Sequence, residues 1–196
     1  SKRSIYDPNS GMARLVTQKI SKSEANQRMG RAGRLHPGIC YKLWSKAQDG
    51  SFSDFPPSEI ENSDLTPFAL ELALWGSNID ELALLTKPKK KALSEAYKVL
   101  EMLGAVNKQL QITKNGRSLS KIPLHPRLAK IILAGGKDAT LLASVLSIGD
   151  PLNNMNNSDI NVRISSVKNY QNQKSDSSYS LKVPIVREIT VSYTHL

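Results

Sequence analysis

A mixed α/β fold is expected, with a short β-hairpin followed by a mostly helical remainder. Three features of the 196 residues point there. Residues 3–6 and 14–20 are short runs of mixed apolar and polar character. Between them stands Asp7-Pro8-Asn9-Ser10-Gly11, a string of turn-forming residues that reads as the tip of a hairpin. From residue 63 onward, apolar residues recur at helical spacing, interrupted by glycines and one short strand pattern.

The elements follow in order. Ser21-Lys22-Ser23-Glu24 has the S-x-x-E spacing of a capping box, which predicts a helix running to about Met29. Gly30 and Gly33 are expected to end it and to let the backbone turn tightly. After Pro37-Gly38, residues 39–44 read as a buried strand. Residues 47–62 are polar, contain Pro56-Pro57 and read as a linker. Ser63 or Asp64 caps the next helix, with Leu65, Phe68, Ala69, Leu72 and Trp75 on one face and Gly76 closing it. Residues 93–103 form another helix stopped by Gly104, residues 110–112 a short strand, and Thr113 caps a helix ending near Leu119. Helix, helix, strand and helix over residues 63–126 suggest a winged-helix module. Residues 128–133 and 139–148 begin an all-helical segment, while 153–158 and 171–180 read as polar loops. Trp44 and Trp75 sit in apolar registers, which favours core packing over base stacking.

Composition narrows the partners. Hydrophobic residues make up 39%, enough for a packed core, and the formal charge is +10 with a pI near 9.7. That balance favours a polyanion, because each Lys or Arg meeting a phosphate releases a counterion. Cys40 is alone, and His36, His125 and His195 lack ligand spacing, so neither an internal disulfide nor a metal site is expected. No apolar run approaches the ~18 residues of a membrane span, and no signal peptide is recognisable. A cytoplasmic protein with no membrane partner is the expectation. The chain opens at Ser1 inside a strand pattern, which reads as a piece of something larger.

The string that carries chemistry is Gln27-Arg28-Met29-Gly30-Arg31-Ala32-Gly33-Arg34. A capped helix delivers Gln27, and the turn after it projects Arg31 and Arg34. Two neighbouring guanidinium forks repel each other, so an anion is the natural third party. A triphosphate undergoing phosphoryl transfer is such an anion. Without further context, a solvated basic turn would be the simpler account.

The string resembles, at every fixed position, the Q-R-x-G-R-A-G-R motif VI of DEAH/RHA-type superfamily 2 helicases. The flanks are similar too: Ile20-Ser21-Lys22-Ser23-Glu24-Ala25 before it and Pro37-Gly38-Ile39-Cys40-Tyr41-Lys42-Leu43-Trp44 after it. Leu70-Glu71-Leu72-Ala73-Leu74-Trp75-Gly76, Leu103-Gly104-Ala105 and Pro123-Leu124-His125-Pro126-Arg127-Leu128-Ala129 resemble blocks of the bacterial HrpB-type members. The resemblance spans roughly residues 3–165.

It implies a division of the chain. Residues 1–46 would end the second RecA-like domain, 47–62 link, 63–126 form the winged helix, and 127–190 a helical, ratchet-like segment that is incomplete. Residues 191–196 resemble translated adaptor sequence more than any helicase and are expected to be non-native. Arg31 and Arg34 would be the arginine fingers of ATP hydrolysis, and Gln27 would contact the γ-phosphate or the attacking water. Gly30 and Gly33 would be required for backbone shape. ATP and Mg2+ would serve the full-length enzyme, but the chain has no G-x-x-x-x-G-K-[ST] loop and no D-E-x-H box, so the magnesium ligands lie elsewhere. The missing N-terminal RecA-like domain and nucleic acid, with single-stranded RNA expected over DNA, are the implied partners. Lys2, Arg3, Lys89, Lys90 and Arg127 are candidate phosphate contacts. For the lysine run after Lys87 a solvated loop is the stronger reading. For the hairpin, a strand-separating wedge and a plain pair of edge strands stand level. A stand-alone basic winged-helix module that binds nucleic acid without catalysis is the alternative to a motor, and a protein-interaction domain a weaker third.

Overall fold

The computed structural model describes residues 1–8, 10–153, 157–172 and 180–195. It is a mixed α/β chain in two compact units, Ser1–Leu65 with Leu82–Glu95, and Thr66–Glu81 with Ala96–Leu196.

The first unit opens with the antiparallel pair β1 (Lys2–Asp7) and β2 (Met12–Thr17), in the register Lys2↔Thr17 to Asp7↔Met12. Gly11 takes a positive φ of 66° and donates its N–H to the Asp7 carbonyl at 2.9 Å, which closes the turn. Helix α1 (Lys22–Met29) follows with the capping box the spacing predicts. Residues 53 and 54 return to its start: the N–H groups of Lys22 and Ser23 donate to the Ser53 and Asp54 carbonyls at 2.8 and 3.0 Å. Amides that a helix start leaves without internal partners are satisfied in this way. A short helix α2 (Lys46–Gly50) and a 3-10 turn at Glu59–Glu61 occupy the expected linker; Ser45 makes a full capping box with Gln48, whereas at Ser58 only the backbone N–H is engaged, donating to Glu61 Oε2 at 3.2 Å.

The predicted strand at 39–44 is absent. These residues have no regular structure, and Ile39, Tyr41 and Leu43 are exposed. A strand needs a neighbour to take its backbone hydrogen bonds, and among the described residues the one sheet is the β1–β2 pair. Trp44 is half-buried instead against Phe52, with ring centroids 5.5 Å apart, and donates from Nε1 to Asp49 at 2.7 Å.

The second unit holds most of the core. Helix α3 (Thr66–Trp75) buries Ala69, Leu70, Leu72 and Ala73 and packs on α5 (Lys114–Leu119) and α6 (Pro126–Ile148). Trp75, assigned to that buried face by its register, is 60% exposed: it is the last residue of the helix, and Gly76 turns the chain away at φ 71°. Helix α4 (Lys90–Met102) ends at Gly104, also left-handed. Between Gly104 and α5, Val106 and Ile112 form an isolated antiparallel bridge, the short strand pattern of the sequence. Thr113 caps α5 by accepting the Gly116 N–H at 3.0 Å.

Helix α6 runs through the Gly135-Gly136 pair with a kink at Gly136, whose φ of 58° and ψ of −143° interrupt the helix between the two segments the sequence suggests. Its second half packs with α7 (Ile160–Gln171) and α8 (Val183–His195) around Leu141, Val145, Val167, Val186 and Ile189. The loop before α7 is held by Arg163, which donates to the Asn157 and Asp159 carbonyls and pairs with Asp150 at 2.7 Å. The loop expectations at 154–156 and 173–179 lie outside the described residues.

Candidate functional site

The site grows from Ser21. Its buried hydroxyl accepts the Glu24 N–H at 3.2 Å, and Glu24 answers by accepting the Ser21 N–H at 2.8 Å. This reciprocal cap fixes the start of α1, and the helix delivers Gln27 and Arg28 from its last turn. Gly30 is the C-cap in an ordinary helical conformation, φ −64° and ψ −10°. The chain then continues in tight turns, with the Arg31 N–H on the Arg28 carbonyl at 3.2 Å and the Ala32 N–H on the Met29 carbonyl at 3.1 Å.

Gln27, Arg28, Arg31 and Arg34 are all exposed. Among the described residues, the side chains of Gln27, Arg31 and Arg34 have no hydrogen-bond or ion-pair partner. Neither arginine braces its own turn through backbone carbonyls. The arrangement offers two free guanidinium groups and a carboxamide on a fixed backbone, a set suited to an incoming anion.

Two expectations are corrected here. Gly30 and Gly33 are not demanded by the backbone. A Cβ at Gly30 would meet nothing closer than the Asn26 carbonyl oxygen at 3.5 Å, and one at Gly33 nothing closer than 3.9 Å. The glycine that packing requires is Gly38, where a Cβ would lie 1.8 Å from the Ala32 carbonyl oxygen. Pro37-Gly38 marks a turn in the sequence, but its contact partner lies six residues back and carries no local signal.

Arg3 is the second correction. Its Nη2 lies 2.7 Å from Glu24 Oε2, with side-chain exposures of 17% and 22%, and its Nε is buried without a partner. In this structure it ties β1 to α1, a role the sequence reading did not give it. The Ser21 backbone N–H holds the Glu24 carboxyl below its ordinary value, helped by the Ser21 hydroxyl and Arg3 against partial burial.

The remaining candidates are dispersed. Lys2 is exposed on β1, and Lys89 and Lys90 are exposed where α4 begins. Arg127 is half-buried at the start of α6, beside His125, which caps that helix by accepting the Arg127 N–H at 3.2 Å. Among the described residues, no group of three His, Cys, Asp or Glu could hold a metal ion, and no helix is long and apolar enough to cross a membrane.

The chain is similar to known proteins over most of its length. The chain is 36% identical over 161 residues to the probable ATP-dependent RNA helicase DHR1 of Saccharomyces cerevisiae, covering 79% of this chain and 13% of that protein. It is 34% identical over 163 residues to the ATP-dependent RNA helicase HrpB of Escherichia coli, covering 82% of this chain and 20% of HrpB. The crystal structure of the E. coli DExH-box NTPase HrpB superposes with a TM-score of 0.77 at 29% identity, over 96% of this chain and 23% of that one. A second crystal structure, of the E. coli DEAH/RHA helicase HrpB, gives 0.79 at 28% identity over 99% of this chain. No protein-family model matches the chain. The chain thus spans about a fifth or less of the length of these curated relatives.

Proposed function

Because the chain belongs to the DEAH/RHA-type ATP-dependent RNA helicases, of the HrpB kind, we propose that it contributes the arginine fingers to ATP hydrolysis in an RNA motor. Arg31 and Arg34 are the fingers, and Gln27 orients the attacking water or the γ-phosphate. The observation that carries this reading is that both arginines are exposed and, among the described residues, without partners, on the turn that follows the Ser21-capped helix.

The chemistry follows from charge. During transfer of a terminal phosphoryl group, negative charge spreads over its oxygens, and a planar guanidinium fork in place beforehand stabilises that charge without reorganising. Gly30 and Gly33, where a Cβ would meet nothing closer than 3.5 and 3.9 Å, keep side-chain bulk off the turn that a triphosphate would approach. Magnesium would shield the phosphates when bound. The described residues offer it no ligand cluster, so no step is assigned to it on this chain.

The exposed apolar residues Leu35, Ile39, Tyr41 and Leu43 support placing residues 1–46 at the edge of a RecA-like domain. Such a stretch is suited to become a strand once the rest of a sheet lies beside it. Residues 63–126 are read as the winged helix and 127–190 as the helical segment of the nucleic-acid channel. Lys89 and Lys90 are phosphate contacts in this reading. Cations at the start of α4 oppose the helix dipole, so helix stability does not account for them. The test is RNA-stimulated ATP hydrolysis by the full-length protein carrying Arg31→Ala or Arg34→Ala, read beside melting temperature and RNA affinity.

A further inference from the structure

Between Glu101 and Asp138 the sequence has seven Lys and Arg and no Asp or Glu, against a net charge of +10 for the whole chain. Surfaces that serve only solubility mix both signs. This stretch folds into one piece of the second unit: the end of α4, the turn around residues 107–111, α5 and the first half of α6.

Helix α5 buries Gly116 and Leu119 and thereby turns Lys114 and Arg117, three residues apart on one face, to the outside. Lys121 is exposed just past the helix end, and Lys108 is exposed on the turn. None of the four has an ion-pair partner among the described residues.

The backbone beneath them is tightly determined. Asn107 Oδ1 accepts the N–H groups of Gln109 and Gln111 at 3.0 and 2.9 Å, and the Asn107 N–H donates to the Gln111 carbonyl at 2.9 Å. That turn holds Leu110 at a φ of 59°, unusual for a residue with a side chain, and leaves it 47% exposed. The start of α5 is locked to residues 104 and 105, just before the turn. Thr113 Oγ1 donates to the Gly104 carbonyl at 2.7 Å, and a Cβ at Gly116 would lie 2.1 Å from the Ala105 carbonyl oxygen.

We infer that the turn at 107–111 and the outer face of α5 form a docking surface for the sugar–phosphate backbone of RNA. Its residues are other than Arg31, Arg34, Lys89 and Lys90. Lys108, Lys114, Arg117 and Lys121 meet phosphates, and Leu110, held outward by its strained turn, gives an apolar contact to a sugar or base. The inference rests on the reading of the chain as part of an RNA motor and names where this part holds the strand.

The experiment is fluorescence anisotropy of a labelled single-stranded RNA on the 196-residue chain, titrated across salt. The triple variant Lys114→Gln/Arg117→Gln/Lys121→Gln is expected to bind at least about tenfold more weakly at low salt. Its log–log salt slope should fall by about two, at roughly 0.7 per lost phosphate contact. A control with the same charge removed elsewhere, Lys19→Gln/Lys168→Gln/Arg187→Gln, should stay within about threefold of the unchanged chain. Leu110→Gly should weaken binding and leave the slope alone. Melting temperatures near that of the unchanged chain establish that each variant is folded. Equal losses in the two triple variants would overturn the surface, as would an α5 variant that binds normally. Displacement of RNA by polyglutamate as readily as by unlabelled RNA would overturn nucleic acid as the occupant. Failure of the unchanged chain to bind RNA would remove both this surface and the RNA reading, whereas normal binding by the α5 variant removes the surface alone.

Discussion

Arg3 Nη2 and Glu24 Oε2 lie 2.7 Å apart, and the same carboxylate oxygen takes the Ser21 N–H at 2.8 Å. One side chain therefore both caps α1 and ties that helix to the hairpin. Glu24→Gln should cost about 1 kcal/mol at neutral pH, the worth of a partly exposed charge-assisted contact plus part of a cap. The Glu24 carboxyl sits below its ordinary 4.5 when folded, so its stabilisation is complete above that value and fades as pH falls through the folded one. Urea unfolding of both forms should show a gap at neutral pH that narrows in acid, as pH falls below the ordinary 4.5 and through the lower folded value. A gap that persisted unchanged there would show that the carboxylate charge is not what ties the two elements.

The glycines of the motif separate fold from function. Gly38→Ala should destabilise the chain by about 1–3 kcal/mol, since its Cβ would displace the Ala32 backbone. Gly30→Ala should be neutral or stabilise slightly, because Gly30 is already helical and unobstructed. In the full-length protein Gly30→Ala should nonetheless slow ATP turnover, because the added methyl lies next to Arg31 on the turn that would meet the nucleotide. Denaturant midpoints and turnover measured on the two variants read these effects separately, and a Gly30→Ala chain that unfolds far more easily would restore the backbone role.

What could be read from sequence was local. The hairpin, the capping box at Ser21 and Glu24, the Thr113 cap and the glycine stops at Gly76 and Gly104 each depend on residues within a few positions of one another. The kink at Gly136 fell where the sequence left a gap between two helical segments. Misjudged features depend on distant partners. The run 39–44 has strand character but no neighbouring strand among the described residues. Arg3 finds Glu24 across 21 positions, and Gly38 finds Ala32 only through a folded turn. The exposure of Arg31 and Arg34 was implied by the motif, whereas only the fold shows that they have no partner among the described residues.

Leu110 offers a test of stored strain. Leu110→Gly should raise unfolding stability by up to about 1 kcal/mol, because glycine adopts a φ of 59° without the penalty a side chain carries. Calorimetry of the two chains decides it. A clear loss of stability on going to glycine would mean that the leucine is retained for packing.

The 196-residue chain by itself should not hydrolyse ATP above background, with or without RNA. It has neither a phosphate-cradling loop nor a magnesium-binding acidic box. A phosphate-release assay on the purified chain measures this, and turnover above the buffer control would mean that the catalytic apparatus is not where the motif places it.

The most direct measurement is ATP turnover by the full-length protein with Arg31→Ala and, separately, Arg34→Ala. Each should lose on the order of 10³-fold in RNA-stimulated rate while melting temperature and RNA affinity stay near wild type. Arg→Lys should not rescue, because an ammonium cannot reproduce the planar two-pronged contact. A variant that melts and binds RNA normally and still turns over ATP within a few-fold of wild type would remove that arginine from catalysis. Parallel loss of stability, binding and turnover would instead make it a brace for the turn.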